Sequence, residues 1–322
     1  MEEIMKKNVI IVGVILLFVL GICQTVSIPQ VAQNNDKLNV IVSILPQKAF
    51  VEAVGGNFVN VKELIPPGGS PATYEPKPGD LANVEKADIY FKIGHIPFEK
   101  SHAGKLANLN PNMKIIDTST SVKLRYFDKD KEVKHEHEQM LNDDHGKHSF
   151  DKQEEGSHHH KGIDPHIWLS PMQVKKQVAI IREVLSQEDP QNLEIYQKNA
   201  EKFKKKLDEL HIELNAIFKE SKTDKLMVFH PAWGYFADEY NLEQIAIEQD
   251  GKEPTAKQLQ YIIDLAKEEN IKVIFVQKQF DKEIAQSIAE QIGATIISID
   301  PLSGDYLNNL KVVGTKIAES LK

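Results

Sequence analysis

Cysteine is almost missing from this chain: Cys23 is the only one in 322 residues. No disulfide can close within the molecule, and zinc sites built on cysteine thiolates are excluded. A basic excess is missing as well. Lys and Arg number 39 against 47 Asp and Glu, a net charge of −8. Nucleic acid, which recruits basic stripes, is therefore not an expected partner. The apolar run from Val9 to Cys23 (VIIVGVILLFVLGIC) falls short of the roughly 20 residues that a membrane-spanning helix needs. Histidine, in contrast, is present and uneven, with seven of the twelve between His135 and His160. A hydrophobic share of 41% is enough for real cores, and the length suggests roughly two domains.

Lys6 and Lys7 precede the apolar run, which is the pattern of an export signal. Leu20-Gly21-Ile22-Cys23 resembles a lipoprotein cleavage box, with Ile22 where a small residue is usual. Lipidation of Cys23, cleavage nearby and an uncleaved anchor remain open. Each puts the rest of the chain outside the cytoplasmic membrane, in a periplasm or at the cell surface. The expected organisation is a signal or anchor over 1–23, a tether over 24–37 and a first lobe over 38–170. A helical connector over 171–222 and a second lobe over 223–322 follow. The segment 128–162 is rich in Asp, Glu, Lys and His and poor in apolar residues, so it reads as a disordered loop within the first lobe.

Apolar, β-branched runs alternate with helical spacing on both sides of the connector. LNVIVSIL (38–45), FVNVKELI (58–65), ADIYFKIG (87–94) and MKIIDTS (113–119) read as strands. KLMVFHP (225–231), LEQIAIE (242–248), VIFVQ (273–277) and ATIISID (294–300) repeat the pattern. Helices are expected after Pro46, over Asp80 to Val84, and over Ala232 to Tyr240. Others are expected from the cap Thr255 through Glu269, from the cap Asp281 to Gly293, and over Asn308 to Leu321. The fold class expected is α/β: two lobes, each with a mostly parallel four-stranded sheet flanked by helices. Pro171 to Gln187 and Asn192 to Ser221 have helical spacing with few breakers, so a long rigid helix would join the lobes. Its apolar spacing is too irregular for a sustained heptad, which favours a monomer over a coiled-coil dimer.

In open α/β sheets, ligands bind at the carboxyl ends of the strands. His95, His230 and Asp300 stand at such ends, and His166 precedes the connector helix in DPHIWLSP. Three imidazoles and a carboxylate suit Zn²⁺, and less selectively Mn²⁺ or Fe²⁺. Each residue also has an ordinary use as a turn or capping group.

DPHIWLSP (164–171), FHPAWGYFADEYNL (229–242) and ISIDPLSGDYLNNL (297–310) resemble the solute-binding proteins of zinc and manganese ABC transporters. ATYEPKPGD (72–80) and GKEPTAKQL (251–259) are also similar, so the resemblance runs from about Leu38 onward. It implies two α/β lobes joined by one long helix, with metal held in the cleft between them and passed to a membrane ABC permease. His166 matches the second ligand of that family, His230 the third and Asp300 the fourth. Histidine at the third position is the zinc-type choice, and an acidic, His-rich loop is typical of the zinc branch. The first ligand departs from the pattern, since Ala72 stands where the H-x-Y-x-P motif has its His. His95 is the favoured substitute and His102 a weaker one. A water, a loop histidine or a changed ligand are alternatives. On this reading the loop collects metal weakly.

Two other functions fit the same residues. One is a metal-dependent hydrolase with an open three-ligand zinc site and Glu248 as base. The other is a binding protein for a metal chelate in the space that Ala72 leaves.

Overall fold

A computed structural model describes residues 37–127, 162–248, 253–278 and 283–322. The expected signal segment, Cys23, nearly all of the His-rich loop, and Asp281 lie outside them. The first lobe contains β1 (Leu38–Val42), α1 (Leu45–Gly55), β2 (Val59–Glu63), α2 (Pro78–Val84), β3 (Ile89–Lys92), α3 (Pro97–Leu109) and β4 (Lys114–Asp117). Helices α4 (Pro171–Glu188) and α5 (Leu193–Phe218) follow. The second lobe contains β5 (Lys225–Val228), α6 (Gly234–Glu239), β6 (Glu243–Ala246), α7 (Ala256–Glu268), β7 (Val273–Gln277), α8 (Glu283–Ile292), β8 (Thr295–Ile299) and α9 (Tyr306–Ser320).

Both sheets are parallel throughout and share one order, β2-β1-β3-β4 and β6-β5-β7-β8. Helices cover parallel strands on both faces, so central strands read as apolar runs. Val40, Ile41 and Val42 of β1 and Ile89, Tyr90 and Phe91 of β3 are accordingly buried. In each sheet the order reverses beside the first strand, between β1 and β3 and between β5 and β7. Such a reversal opens a crevice at the carboxyl ends of the strands. His95 follows β3 and His230 follows β5, so the topology delivers both to these crevices.

Local chemistry fixes the boundaries. Pro46 opens α1, and Gly56, at φ 56°, closes it. Thr255 caps α7 in a reciprocal pairing with Gln258. Helix α3 was not anticipated. Its polar content hides the apolar face carried by Phe98 and Leu106.

The 26 residues of α5 extend about 39 Å. Its buried face, from Tyr196 through Phe203 and Leu210 to Phe218, meets both lobes. Phe203 lies 6.1 Å from Phe50 of α1, ring centre to ring centre, and Asn199 donates to the Val54 carbonyl. At the other end Phe218 packs edge-on against Phe236 of α6, and Glu213 pairs with Lys311 of α9. The lobes also touch directly: Phe50 meets Tyr306 edge-on at 4.8 Å, and the Trp168 indole N–H donates to the Pro301 carbonyl at 2.8 Å. One continuous apolar core therefore runs through the first lobe, α4, α5 and part of the second lobe. A second cluster packs α7 and α8 onto their sheet.

Candidate metal centre

A cleft of about 840 Å³ is lined by His95, His166 and His230, with Ala72, Glu248 and Trp168. His166 precedes the short 3-10 turn Ile167–Leu169, whose buried side chains anchor the motif in the core. Asp164, fully buried, accepts the His166 backbone N–H at 3.0 Å and faces its Nδ1 at 2.8 Å. Asp164 also receives Arg125 Nη1 at 3.3 Å, and Arg125 reaches Asp238 at 3.1 Å. A carboxylate on Nδ1 holds the proton there and leaves the lone pair on Nε2. Burial holds the His166 imidazole below its ordinary pKa, partly opposed by Asp164.

His230 is braced in the same way. Its Nδ1 meets Glu248 Oε2 at 2.9 Å, and Glu248 is buried. The two residues are 18 apart in sequence, and the parallel pairing of β5 with β6 brings the strand ends that carry them together. The His166 and His230 rings stand 5.3 Å apart, nearly perpendicular. Glu248 is thus engaged behind a ligand candidate, which leaves the hydrolase reading without its base.

His95 lies on the turn after β3, and its Nε2 is 3.3 Å from Ser119 Oγ. Ser119 Oγ donates to Asp117 Oδ1 at 2.6 Å. The hydroxyl then accepts from His95 Nε2–H, so the lone pair of His95 is on Nδ1, unlike the other two. Burial is the main cause of a lowered His95 pKa; Asp117 opposes it, while Lys100 and Lys92 add to it. Ala72 contributes only a methyl group to the cleft wall, beside Ser70, which accepts its N–H.

Asp300 is placed differently. It lines a neighbouring cavity of about 230 Å³ with Gly68, Gly69 and Ser303. One carboxylate oxygen accepts the Leu302 N–H at 2.9 Å, and the other is 3.6 Å from Lys278 Nζ. The next residue, Pro301, borders the main cleft. Two imidazoles are therefore paired, a third shares their cleft and the carboxylate lies next door. Among the described residues, no three His, Cys, Asp or Glu side chains are gathered to hold one ion.

His102 is not among the residues that line the cleft. Its Nδ1 meets the Phe98 carbonyl and its Nε2 meets Glu75, and the ring stacks on Phe98. His211 bridges Glu239 and Asn215. The supporting residues Asp164, Arg125 and Ser119 were not anticipated. Only Asp164 carried a signal, since it lies two residues before His166 inside the motif.

Residues 40–320 match the family model described as zinc-uptake complex component A, periplasmic, ZnuA. The high-affinity zinc uptake system protein ZnuA of Bacillus subtilis is 28% identical over 278 residues, 84% of this chain and 80% of that protein. The zinc-binding lipoprotein AdcA of Streptococcus pneumoniae is 29% identical over 281 residues. That match covers 84% of this chain but 51% of AdcA, so the chain spans about half the length of this relative. A crystal structure of ZnuA superposes with a TM-score of 0.76 at 38% identity, covering 89% of this chain and all of that one.

Proposed function

The chain belongs to the zinc-uptake complex component A family, and on that footing we propose that it captures zinc outside the cytoplasmic membrane for an ABC importer. The family is a transport component and not an enzyme family. The observation that carries the proposal is the His166–His230 pair. Two imidazoles stand 5.3 Å apart, each with a buried carboxylate on Nδ1. Such braces set the tautomer and raise the basicity of the ligating nitrogen.

His95 supplies the third nitrogen, in place of the imidazole that Ala72 lacks. Asp300 supplies an oxygen once its side chain turns from Lys278 toward the cleft. Three neutral imidazoles and one carboxylate make a borderline donor set, which favours zinc over manganese or iron. Protons compete for the same nitrogens, so acid weakens capture. The continuous core between the lobes resists a wide hinge, and loading then relies on loop and side-chain movements. The protein works as a monomer and hands its ion to the membrane permease.

The test is zinc titration of the purified chain beside His166→Ala, His230→Ala, His95→Ala and Asp300→Ala. Each variant should bind more weakly, and manganese should not displace zinc from the parent. Unchanged affinity in His166→Ala and His230→Ala would remove the basis of the proposal. Among the described residues no helix is long and apolar enough to cross a membrane.

A further inference from the structure

Among the described residues, metal capture as set out above leaves one buried carboxylate unused. Glu99 lies in the first turn of α3, four residues after His95, and is only 2% exposed. A buried carboxylate is tolerated where hydrogen bonds replace its water, and three donors do so here. Glu99 Oε1 accepts the Ile93 N–H at 2.7 Å and the Ser43 hydroxyl, while Oε2 accepts the Gly94 N–H at 2.6 Å. Ser43 follows β1, and Ile93 and Gly94 follow β3. One side chain thus fastens two strand ends to the start of α3. Burial pushes its pKa up to about 7 in spite of these bonds.

The backbone it fastens leads directly into His95. Gly94 has φ +115°, and a Cβ there would come within 2.5 Å of Ser119 Oγ and 2.6 Å of Asp117 Oδ1. Those two groups also steady the His95 ring through Ser119. A shift of Gly94 would therefore move the His95 backbone and disturb its ring contact together.

We propose that Glu99 is a positioning residue for metal capture: its carboxylate clamps the β3–α3 turn and so presents His95 to the cleft that His166 and His230 line. The inference rests on the reading of His95 as a ligand given above.

Glu99→Gln keeps the shape of the side chain. Its amide can accept from one of the two backbone N–H groups but sets a donor against the other. Zinc affinity is measured by chelator competition on the full chain, in the parent and in a His95→Ala background, with thermal unfolding in parallel. Glu99→Gln should weaken zinc by about tenfold, the lower end for groups that orient ligands. In the His95→Ala background the same change should add nothing further. Equal weakening in both backgrounds means a general structural effect and overturns the proposal, as does no weakening at all. Ser43→Ala removes one bond to Glu99 and runs through the same cycle should Glu99→Gln fail to fold. It should lose affinity only where His95 is present, and an additive result overturns the proposal. If His95→Ala alone leaves zinc binding intact, the ligand assignment fails and Glu99 falls with it. If His95→Ala weakens binding while Glu99→Gln does not, only the Glu99 inference fails.

Discussion

Replacing Asp164 by Asn changes one oxygen into an amide nitrogen in a fully buried position. The carboxylate has three donors around it: the His166 N–H, His166 Nδ1 and Arg125 Nη1, at 3.0, 2.8 and 3.3 Å. An Asn cannot serve all of them. With its oxygen toward His166, its NH₂ opposes the Arg125 guanidinium. With its NH₂ toward Nδ1, the proton must move to Nε2 and the ligating lone pair is lost. Zinc affinity should fall about 10- to 100-fold, equivalent to about 1.4–2.7 kcal/mol. The metal-free protein should also lose stability, because charge-assisted hydrogen bonds contribute about 1.5–3 kcal/mol each. Competition titration reads the first effect and urea unfolding without metal reads the second. Asp164→Asn that loses stability yet binds zinc like the parent would refute the tautomer argument.

Three further outcomes follow from the same geometry. Burial holds the His166 and His95 imidazoles below the ordinary value of 6.5, so they stay neutral into stronger acid than a free imidazole would. The unfolded chain takes up these protons first, so stability without metal should decline as pH falls below 6.5; unfolding at a series of pH values checks the sign. Ala72→His restores an imidazole to the cleft wall and should tighten zinc and rescue part of the His95→Ala loss in the titration above. Gly314→Ala would set a Cβ 2.2 Å from Leu214 Cδ2, where α9 rests on α5. Overpacking there should reduce stability by about 1–3 kcal/mol in urea unfolding, with little change in zinc affinity.

The eight strands were legible because each is a short apolar run closed by turn residues, and the long helix because its sequence holds few helix breakers. The identical strand order of the two sheets was not, since nothing local records which strand a given strand pairs with. At the site, His166 and His230 stood out through their motifs. Their braces depend on tertiary pairing. Glu248 reaches His230 through β6, and Arg125 reaches Asp164 across 39 residues of sequence. His102 and His211 had the composition of ligands, and only the fold shows their nitrogens engaged elsewhere. Asp300 matched its motif, yet its contact with Lys278 depends on β7 pairing with β8.

Native mass spectrometry of the purified chain titrated with zinc, beside the combined His166→Ala and His230→Ala variant, bears most directly on the central claim. The parent should retain a tightly held zinc ion under chelator competition, and the variant should release it while remaining folded. A folded double variant that keeps the ion as tightly as the parent would contradict the account.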